Sequence, residues 1–308
     1  MSLVTSSSLP RPANVVRSIP EALASDQPSI SFEFFPPKTD EAETQLWETI
    51  RRLEKTRPTF VSVTYGAGGT TRDRTVRVTE RIARETTLTP LAHLTCVGHS
   101  VSELRSVIGS FSGAGIRNLL ALRGDPLGGP DAEWERHSEG LDHAEELVEL
   151  VRSLGAFTVG VAAFPDQHPE SADLDADADV LVRKADAGAE YAITQFFFTT
   201  AAYLALRDRM VARGHDLPII PGLMPVTNVK QLARMTQLSG QPVPASVTSR
   251  LEAVGDDPEA VREVGVEITT ELARQLLAEG APGIHFITMN RSPATLQVWD
   301  NLGVTAAQ

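Results

Sequence analysis

The chain is poor in the features that mark secreted, membrane-spanning or nucleic-acid-binding proteins. A single cysteine, Cys96, stands among its 308 residues, which excludes an internal disulfide and any Cys-x-x-Cys redox or metal motif. No apolar run is long enough to span a bilayer. The net charge of −12 disfavours a broad contact with a phosphate backbone. We therefore expect a cytoplasmic protein that binds neither membranes nor nucleic acids.

Several catalytic signatures are also missing. The sequence has no Gly-Lys-Ser/Thr phosphate loop, no Gly-x-Ser-x-Gly nucleophile elbow and no pair of histidines at the i, i+4 spacing of a zinc helix. The alternating aspartates between Asp173 and Asp179 suggest a calcium loop, but Ala178 and Lys184 stand where such a loop needs Gly and Glu. We predict no metal site, and a solvated loop that leads into a helix over residues 173–179.

The first residues differ in composition from the rest. Residues 1–17 are rich in Ser and Pro and lack the apolar core of a signal peptide. We predict a flexible tail over residues 1–20 and a single folded domain over residues 21–308, because no later change in composition indicates a linker.

The remaining chain alternates between β-rich and helical patterns. Eight strands are predicted, at residues 31–35, 59–64, 91–95, 118–122, 158–163, 191–195, 217–221 and 284–288. Helices are predicted at residues 41–54 with Asp40 as the cap, 74–85, 101–114, 143–154, 180–187, 201–213, 229–238 and 258–279. Such regular alternation predicts an α/β protein, a (β/α)8 TIM barrel. An open doubly wound sheet is the alternative, although Phe-Phe-Pro-Pro replaces the Gly-x-Gly-x-x-Gly of its dinucleotide-binding form.

The first strand carries one carboxylate among aromatic residues. Side chains alternate along a strand, so Glu33 shares a face with Ser31 and Phe35. Two prolines follow and end the strand, which places Glu33 near its carboxyl end, where barrel enzymes hold their catalytic groups. Desolvation by the aromatic neighbours is expected to raise the pKa of Glu33 and make it a general acid. A structural ion pair with Lys or Arg is the alternative.

Polar residues recur at the predicted carboxyl ends of other strands. They are Thr64, His93, Thr95, Arg123, Gly124, Asp125, the stretch 164–168, Gln195 and the stretch 288–291. Loops from different strands of a barrel converge on one mouth, so these residues predict a ligand site there. Taken singly, the glycines of residues 66–69 also fit an ordinary turn. Arg123 and Asp125 would also fit an exposed ion pair.

A series of motifs together resembles one enzyme family. The motifs are Ser31-Phe-Glu-Phe-Phe-Pro-Pro37, Val61-Ser-Val-Thr-Tyr-Gly-Ala67, Ala92-His-Leu-Thr-Cys96, Ala121-Leu-Arg-Gly-Asp125, Val161-Ala-Ala-Phe-Pro165, His168-Pro-Glu170, Ala192-Ile-Thr-Gln-Phe-Phe-Phe198 and His285-Phe-Ile-Thr-Met-Asn-Arg291. In this order, from about residue 29 to 304, they resemble the bacterial methylenetetrahydrofolate reductases. The resemblance implies a homo-oligomeric FAD-containing barrel of one-carbon metabolism and methionine biosynthesis. In this family NADH or NADPH reduces the flavin and leaves before methylenetetrahydrofolate binds, a ping-pong mechanism.

The resemblance also implies residue roles. Glu33 matches the general acid that protonates the folate, and Asp125 matches the carboxylate beside pterin and flavin. The implied flavin contacts are Tyr65, Ala67, His93, Arg123, Gly124, Asp125, Ala144, Phe164, His168, Asp177, Arg183 and Lys184. The implied nicotinamide contacts are Thr64 and Gln195, and the implied folate contacts are Asp125, Gln195, Gln231 and Arg291. Phe164 replaces a tyrosine of the enteric members, and Met235 replaces a phenylalanine.

Two other functions fit the same sequence. One is direct hydride transfer from the nicotinamide to the folate without flavin. The other is a barrel that binds folate or a partner protein but has no catalytic activity. The presence of the catalytic and binding residues Glu33, Asp125 and Gln195 disfavours this second function. The choice between NADH and NADPH stays open.

Overall fold

The computed structural model describes residues 18–65, 69–126, 132–240 and 242–306. Most of the predicted tail, residues 1–17, lies outside them. Residues 18–20 do not continue a tail, because the first helix, α1, spans Ile19–Leu23 and buries Ile19.

Within the described residues, nine parallel strands form a nearly closed barrel. They are β1 Ser29–Phe34, β2 Phe60–Val63, β3 Pro90–Thr95, β4 Asn118–Leu122, β5 Thr158–Ala163, β6 Tyr191–Thr194, β7 Ile219–Ile220, β8 Gly222–Leu223 and β9 Gly283–Ile287. Their order in the sheet is β7-β6-β5-β4-β3-β2-β1-β9-β8. The predicted (β/α)8 barrel is confirmed, and the open sheet is wrong.

The ninth strand arises because the predicted seventh strand is interrupted. Pro221 stands between β7 and β8 and has no N–H for the ladder. The part before it pairs with β6, and the part after it pairs with β9. The Pro221 carbonyl accepts a hydrogen bond from the His285 N–H at 2.8 Å. Together β7 and β8 therefore occupy the place of one strand.

Helices connect the strands on the outside of the barrel. After α1 they are α2 Asp40–Glu54, α3 Gly69–Glu85, α4 Val101–Gly113, α5 Ala144–Leu154, α6 Leu174–Asp186, α7 Thr200–Ala212, α8 Val229–Ser239, α9 Ala245–Glu252, α10 Pro258–Ala278 and α11 Pro293–Leu302. The sequence analysis missed α1, α9 and α11, which are among the shorter ones. The other helices confirm the predicted elements, with shifts at their ends.

Three predicted helix starts were wrong. Helix α3 begins at Gly69 rather than at about residue 74. The hydroxyl of Thr39, not the Asp40 carboxylate, caps α2 by accepting from the Ala42 N–H at 3.2 Å. Helix α6 begins at Leu174 rather than at residue 180, with Asp173 as its cap. The aspartates predicted to form a loop therefore lie in its first turns, where carboxylates interact favourably with the helix dipole.

The amino-terminal end of the barrel is filled by apolar side chains. We call this cluster the floor; its members are Ile19, Phe60, Leu91, Leu120, Tyr191, Ile193 and Ile220, with Leu23 packed against it. The Asn118 side chain joins α1 to β3, since its Oδ1 accepts from the Ile19 N–H at 3.4 Å and its Nδ2 donates to the Pro90 carbonyl at 3.5 Å. The floor closes this end, so the other end is the one open to ligands.

Candidate active site

A cavity of about 560 Å³ opens at the carboxyl ends of the strands. Most of the predicted site residues line it: Glu33, Thr64, Tyr65, His93, Arg123, Gly124, Asp125, Ala144, Phe164, His168, Asp177, Arg183, Lys184 and Gln195. Gln231 lies in the first turn of α8 and Arg291 is exposed after β9; neither lines this cavity. Ala67 lies outside the described residues. The barrel thus brings together residues that the sequence spreads over 160 positions, from Glu33 to Gln195.

Glu33 points into the barrel, on the face of β1 that the alternation separates from Phe32 and Phe34. Phe32 and Phe34 are fully buried on the opposite face of β1, within the core between sheet and helices. The Glu33 Oε2 lies 3.5 Å from His285 Nε2 and 3.7 Å from His93 Nε2, and its side chain keeps 14% exposure. The groups nearest to the carboxylate are therefore the imidazoles of His93 and His285 rather than the phenyl rings of the neighbouring phenylalanines.

This environment reverses the predicted titration of Glu33. Burial alone raises the pKa of its carboxyl, but the hydrogen bond with His285 and the charges that His93 and His285 can carry outweigh burial and lower it. The expected rise in pKa was wrong, because the groups that decide it lie across the barrel on β3 and β9 and not beside Glu33 along β1. Glu33 is therefore a carboxylate at neutral pH when the cavity holds no ligand.

His93 is the neutral partner in this group. Burial lowers the pKa of its imidazole to about 4, against the opposing influence of Glu33. Its Nε2 is buried and makes no hydrogen bond within the described parts of the chain. A bound ligand with a polar group could satisfy this nitrogen.

His285 is a site residue that the sequence analysis did not single out. Its side chain is 1% exposed; Nδ1 lies 2.7 Å from Ser31 Oγ and Nε2 lies 3.3 Å from Ser62 Oγ. Alternation along β9, with Ile284 and Phe286 in the outer core, places His285 inside the barrel. That same alternation could have found it in the sequence.

The far side of the cavity carries cations. Lys184 is buried and donates from Nζ to the Ala162 carbonyl at 2.9 Å; burial lowers its pKa to about 8 although Glu145 and Asp177 oppose this shift. Arg183 Nε lies 3.2 Å from Glu145 Oε1. Their charges point to an anionic part of a ligand on this side.

Arg123 lies at the rim of the cavity and is held on two sides. Its two terminal nitrogens each donate to one carboxylate oxygen of Glu170 at 2.6 Å, and its guanidinium lies 4.5 Å from the centre of the Trp134 ring. The next residue, Gly124, has φ +89°, and a Cβ there would lie 2.5 Å from Val97 Cγ1. Only glycine fits at this bend, which lets the backbone line the cavity directly.

The loop after β5 is fixed by Asp177. Its Oδ2 accepts from the His168 N–H at 2.7 Å, and its Oδ1 accepts from the Ser171 hydroxyl. The Phe164 ring meets the His168 ring edge-on at 4.7 Å between centres. The loop thus holds His168 in the cavity wall.

An apolar cluster borders the cavity above β8. It includes Phe196, Met224 and Leu232, and Phe35, Phe198 and Met235 pack against it half-buried. Phe35 also lines the cavity. An aromatic ring that lines the same cavity as the Glu33 carboxylate suits a flat heterocycle with ionisable nitrogens.

These features fit a dinucleotide better than a metal. Arg123, Arg183 and Lys184 can donate to a pyrophosphate, and the buried, unpaired His93 Nε2 can meet a ring heteroatom. Within the described residues no group of three or more His, Cys, Asp or Glu side chains could hold a metal ion.

No helix among those residues is long and apolar enough to cross a membrane.

Comparisons with known proteins agree on one family. The family model described as methylenetetrahydrofolate reductase matches residues 18–303. The chain is 41% identical to the 5,10-methylenetetrahydrofolate reductase of Escherichia coli over 279 residues, 90% of this chain and 92% of that protein. It is also 41% identical to the reductase of the same name from Pectobacterium carotovorum over 277 residues, 90% of each chain.

A solved structure shares the fold at low sequence identity. It is an uncharacterized protein from Clostridium thermocellum that binds two copies of 5-methyl-5,6,7,8-tetrahydrofolic acid, with a TM-score of 0.63 and 16% identity. The match covers 92% of this chain and 97% of that one. At this identity the likeness shows the barrel fold alone.

Proposed function

The chain belongs to the methylenetetrahydrofolate reductase family, and from this premise we propose that it reduces 5,10-methylenetetrahydrofolate to 5-methyltetrahydrofolate with electrons from NADH or NADPH, through bound FAD, in a ping-pong reaction. The observation that carries the proposal is one cavity with two unlike sides. Glu33, between His93 and His285, stands on one side, and the cations Arg123, Arg183 and Lys184 stand on the other.

Glu33 is the group that protonates the folate. Opening the bridged ring of the substrate requires a proton on nitrogen-10, and Glu33 is an acidic side chain that faces the cavity from β1. In the free protein Glu33 is ionised, so it must take up a proton before it can act. A bound folate removes water from the carboxylate, so that burial, which raises the pKa of Glu33, outweighs the histidines, which lower it. The higher pKa favours the protonated form.

Asp125 stabilises positive charge on the opened folate. It lines the cavity at the end of β4 and is exposed at the mouth. A carboxylate at this place favours the cation that forms when the ring opens. Gln195, at the end of β6, lines the same cavity and can donate to and accept from polar ring atoms.

The cationic side holds the cofactor. When bound, FAD would accept a hydride from the nicotinamide and give it to the folate. Arg123 and Arg183 would donate to its phosphates, and Lys184 would add charge from inside the wall. His93 and His168 would border its ring system. The proposed reaction would belong to one-carbon metabolism, as a source of methyl groups for methionine. The homo-oligomer that the family resemblance implies stays a prediction.

An anaerobic titration of the purified protein tests this function. We expect a yellow protein whose flavin absorbance bleaches with NADH or NADPH and returns when methylenetetrahydrofolate is added. A flavin that bleaches but does not recover with folate would overturn the folate as electron acceptor. A protein that reduces folate although it neither contains nor rebinds FAD would overturn the flavin and favour direct transfer from the nicotinamide.

A further inference from the structure

The turn after β9 has an unusual backbone. Met289 has φ +51° and Asn290 has φ +58°, two successive non-glycine residues in the left-handed region. Asparagine tolerates this region because its short side chain can hydrogen-bond locally, whereas methionine rarely adopts it. Such conformations persist only where the surroundings fix them, and they cluster at functional sites.

The contacts of this turn show what fixes it. The Asn290 Oδ1 accepts from the Phe35 N–H at 2.8 Å, and its Nδ2 donates to the Phe35 carbonyl at 2.9 Å. The Thr288 hydroxyl donates to the Glu33 carbonyl at 2.6 Å, and the Thr288 N–H donates to the same oxygen at 3.3 Å. The Thr49 hydroxyl of α2 donates to the Asn290 carbonyl at 3.2 Å. The turn is therefore hydrogen-bonded to the backbone of Glu33 and to that of Phe35, two residues further along the chain.

These contacts replace a strand ladder that cannot continue. Regular pairing of β1 with β9 ends at Glu33 opposite Ile287. Pro36 and Pro37 follow Phe35 and have no N–H to donate, so the strand end would otherwise be held weakly. The amide of Asn290 supplies a donor and an acceptor to the last peptide groups before the prolines.

We propose that Thr288 and Asn290 are positioning residues that fix the direction of the Glu33 carboxylate for proton transfer to the folate. Neither needs to touch the substrate; both act on the backbone that carries Glu33. The direction of a side chain follows from its backbone, and a displacement of about 1 Å at a reacting group can cost on the order of 100-fold in rate. The inference rests on the proposed function.

The barrel contains a matched control for Asn290. At the floor, Asn118 also bridges a backbone N–H and a backbone carbonyl, those of Ile19 and Pro90. Its replacement by alanine removes the same kind of hydrogen bonds at the end away from Glu33. Stability losses common to both asparagines can therefore be separated from an effect on chemistry.

The test compares Asn290→Ala, Asn290→Gly and Asn118→Ala with the unaltered holoenzyme by anaerobic stopped-flow. Bleaching of the flavin by NADH reports the first half-reaction, and its reoxidation by methylenetetrahydrofolate reports the second. We expect both Asn290 variants to lose about 10- to 100-fold in the second rate and to stay within about twofold in the first. Asn118→Ala should keep both rates within about twofold. Thr288→Val should resemble the Asn290 variants with a smaller loss.

The glycine variant keeps the inference falsifiable where alanine fails to fold, because glycine adopts the positive φ without strain. If Asn290→Gly reoxidises as fast as the unaltered protein, only the backbone shape matters and the positioning role is wrong. Equal losses in both half-reactions, or a loss in Asn118→Ala as large as in Asn290→Gly, would likewise show a general structural effect. An unaltered protein without folate-dependent reoxidation would overturn the proposed function itself, and the inference with it.

A pH profile adds a readout that structural damage alone would not move. The titratable groups that face Glu33 are His93 on β3 and His285 on β9. When the two hydrogen bonds from Asn290 to Phe35 are lost, the mean distance from the Glu33 carboxylate to His285 grows and burial has more influence on its pKa. We therefore expect the acidic group in the reoxidation profile to titrate at higher pH in Asn290→Gly. An unchanged profile with a reduced rate would contradict an action through Glu33.

Discussion

The two ends of the barrel use the same strands for opposite purposes. On β3 the inward side chains run from Leu91 at the floor to His93 and then Thr95 at the cavity. On β2 they run from Phe60 through Ser62 to Thr64. The change from apolar to polar occurs within a few residues of one strand. Apolar packing and polar side chains thus occupy successive layers of one barrel, which predicts that a change at the floor affects mainly stability and a change at the polar end mainly chemistry.

The largest effect is expected at the cavity end. Glu33→Gln keeps the size of the side chain but removes the proton donor, so reoxidation of the flavin by methylenetetrahydrofolate should fall by about 10²- to 10⁴-fold. Bleaching by NADH needs no protonation of folate and should stay within about twofold. Stopped-flow absorbance measures both rates. A similar loss in both would refute the assignment of Glu33 as general acid.

The second prediction alters the floor instead. Leu91 is fully buried there, and Leu91→Ala should lower the free energy of unfolding by about 2–5 kcal/mol. Both half-reaction rates, per folded molecule, should remain within about twofold, because the floor lies a layer below the polar residues. Urea unfolding gives the stability. A clear loss beyond about twofold in either half-reaction rate, per folded molecule, would break the separation between the two ends.

The third prediction concerns the stability cost of the polar layer. Unfolded histidine takes up a proton near pH 6.5, whereas His93 resists protonation down to a pKa of about 4. The unfolded state therefore binds more protons between these values, and His93 makes the protein less stable as the pH falls. The loss at pH 5 relative to pH 7 should be about 2 kcal/mol.

His93→Gln should remove this part of the pH dependence, which urea unfolding at both pH values measures. The lowered pKa of Glu33 acts in the same direction at lower pH, because its carboxylate stabilises the fold above its ordinary pKa of 4.5 and that contribution is lost as it is protonated. The same slope in His93→Gln as in the unaltered protein would contradict the burial of a neutral imidazole.

The smallest effect is expected at the cationic side. Lys184 loses its charge in the free protein as the pH rises through about 8, so affinity for FAD should be about tenfold weaker at pH 9 than at pH 7. Flavin fluorescence on dilution gives the dissociation constant. Lys184→Met should bind weakly at both pH values with little slope. Arg183→Gln should also weaken binding but keep the slope, because Lys184 still titrates; a flat profile in that variant would refute the role of Lys184.

The sequence allowed much of this architecture to be predicted because local patterns carry it. Alternation placed Glu33 on the face opposite to Phe32 and Phe34, and strand ends located many of the polar residues of the cavity lining. The start of α6 was missed because aspartate is a poor residue for a helix interior yet a favourable one in the first turn.

Contacts across the barrel could not be predicted in the same way. His285 meets Glu33 because the closure of the sheet sets β9 beside β1, about 250 residues apart in the chain. Glu170 and Trp134 meet Arg123 only through the conformation of two loops. The pKa of Glu33 depends on these distant partners, which is why its direction was predicted wrongly.

The interruption at Pro221 gives the barrel a seam. Elsewhere around the ring neighbouring strands pair over three or more residues, but β7 and β8 pair over only two each. Beside the proline, a side chain replaces the ladder, because Thr194 Oγ1 accepts from the Gly222 N–H at 2.8 Å. Local opening begins where the fewest backbone bonds must break. The barrel is thus expected to open first at the interruption between β7 and β8. Several residues of the apolar cluster beside the cavity follow this interruption directly in the chain.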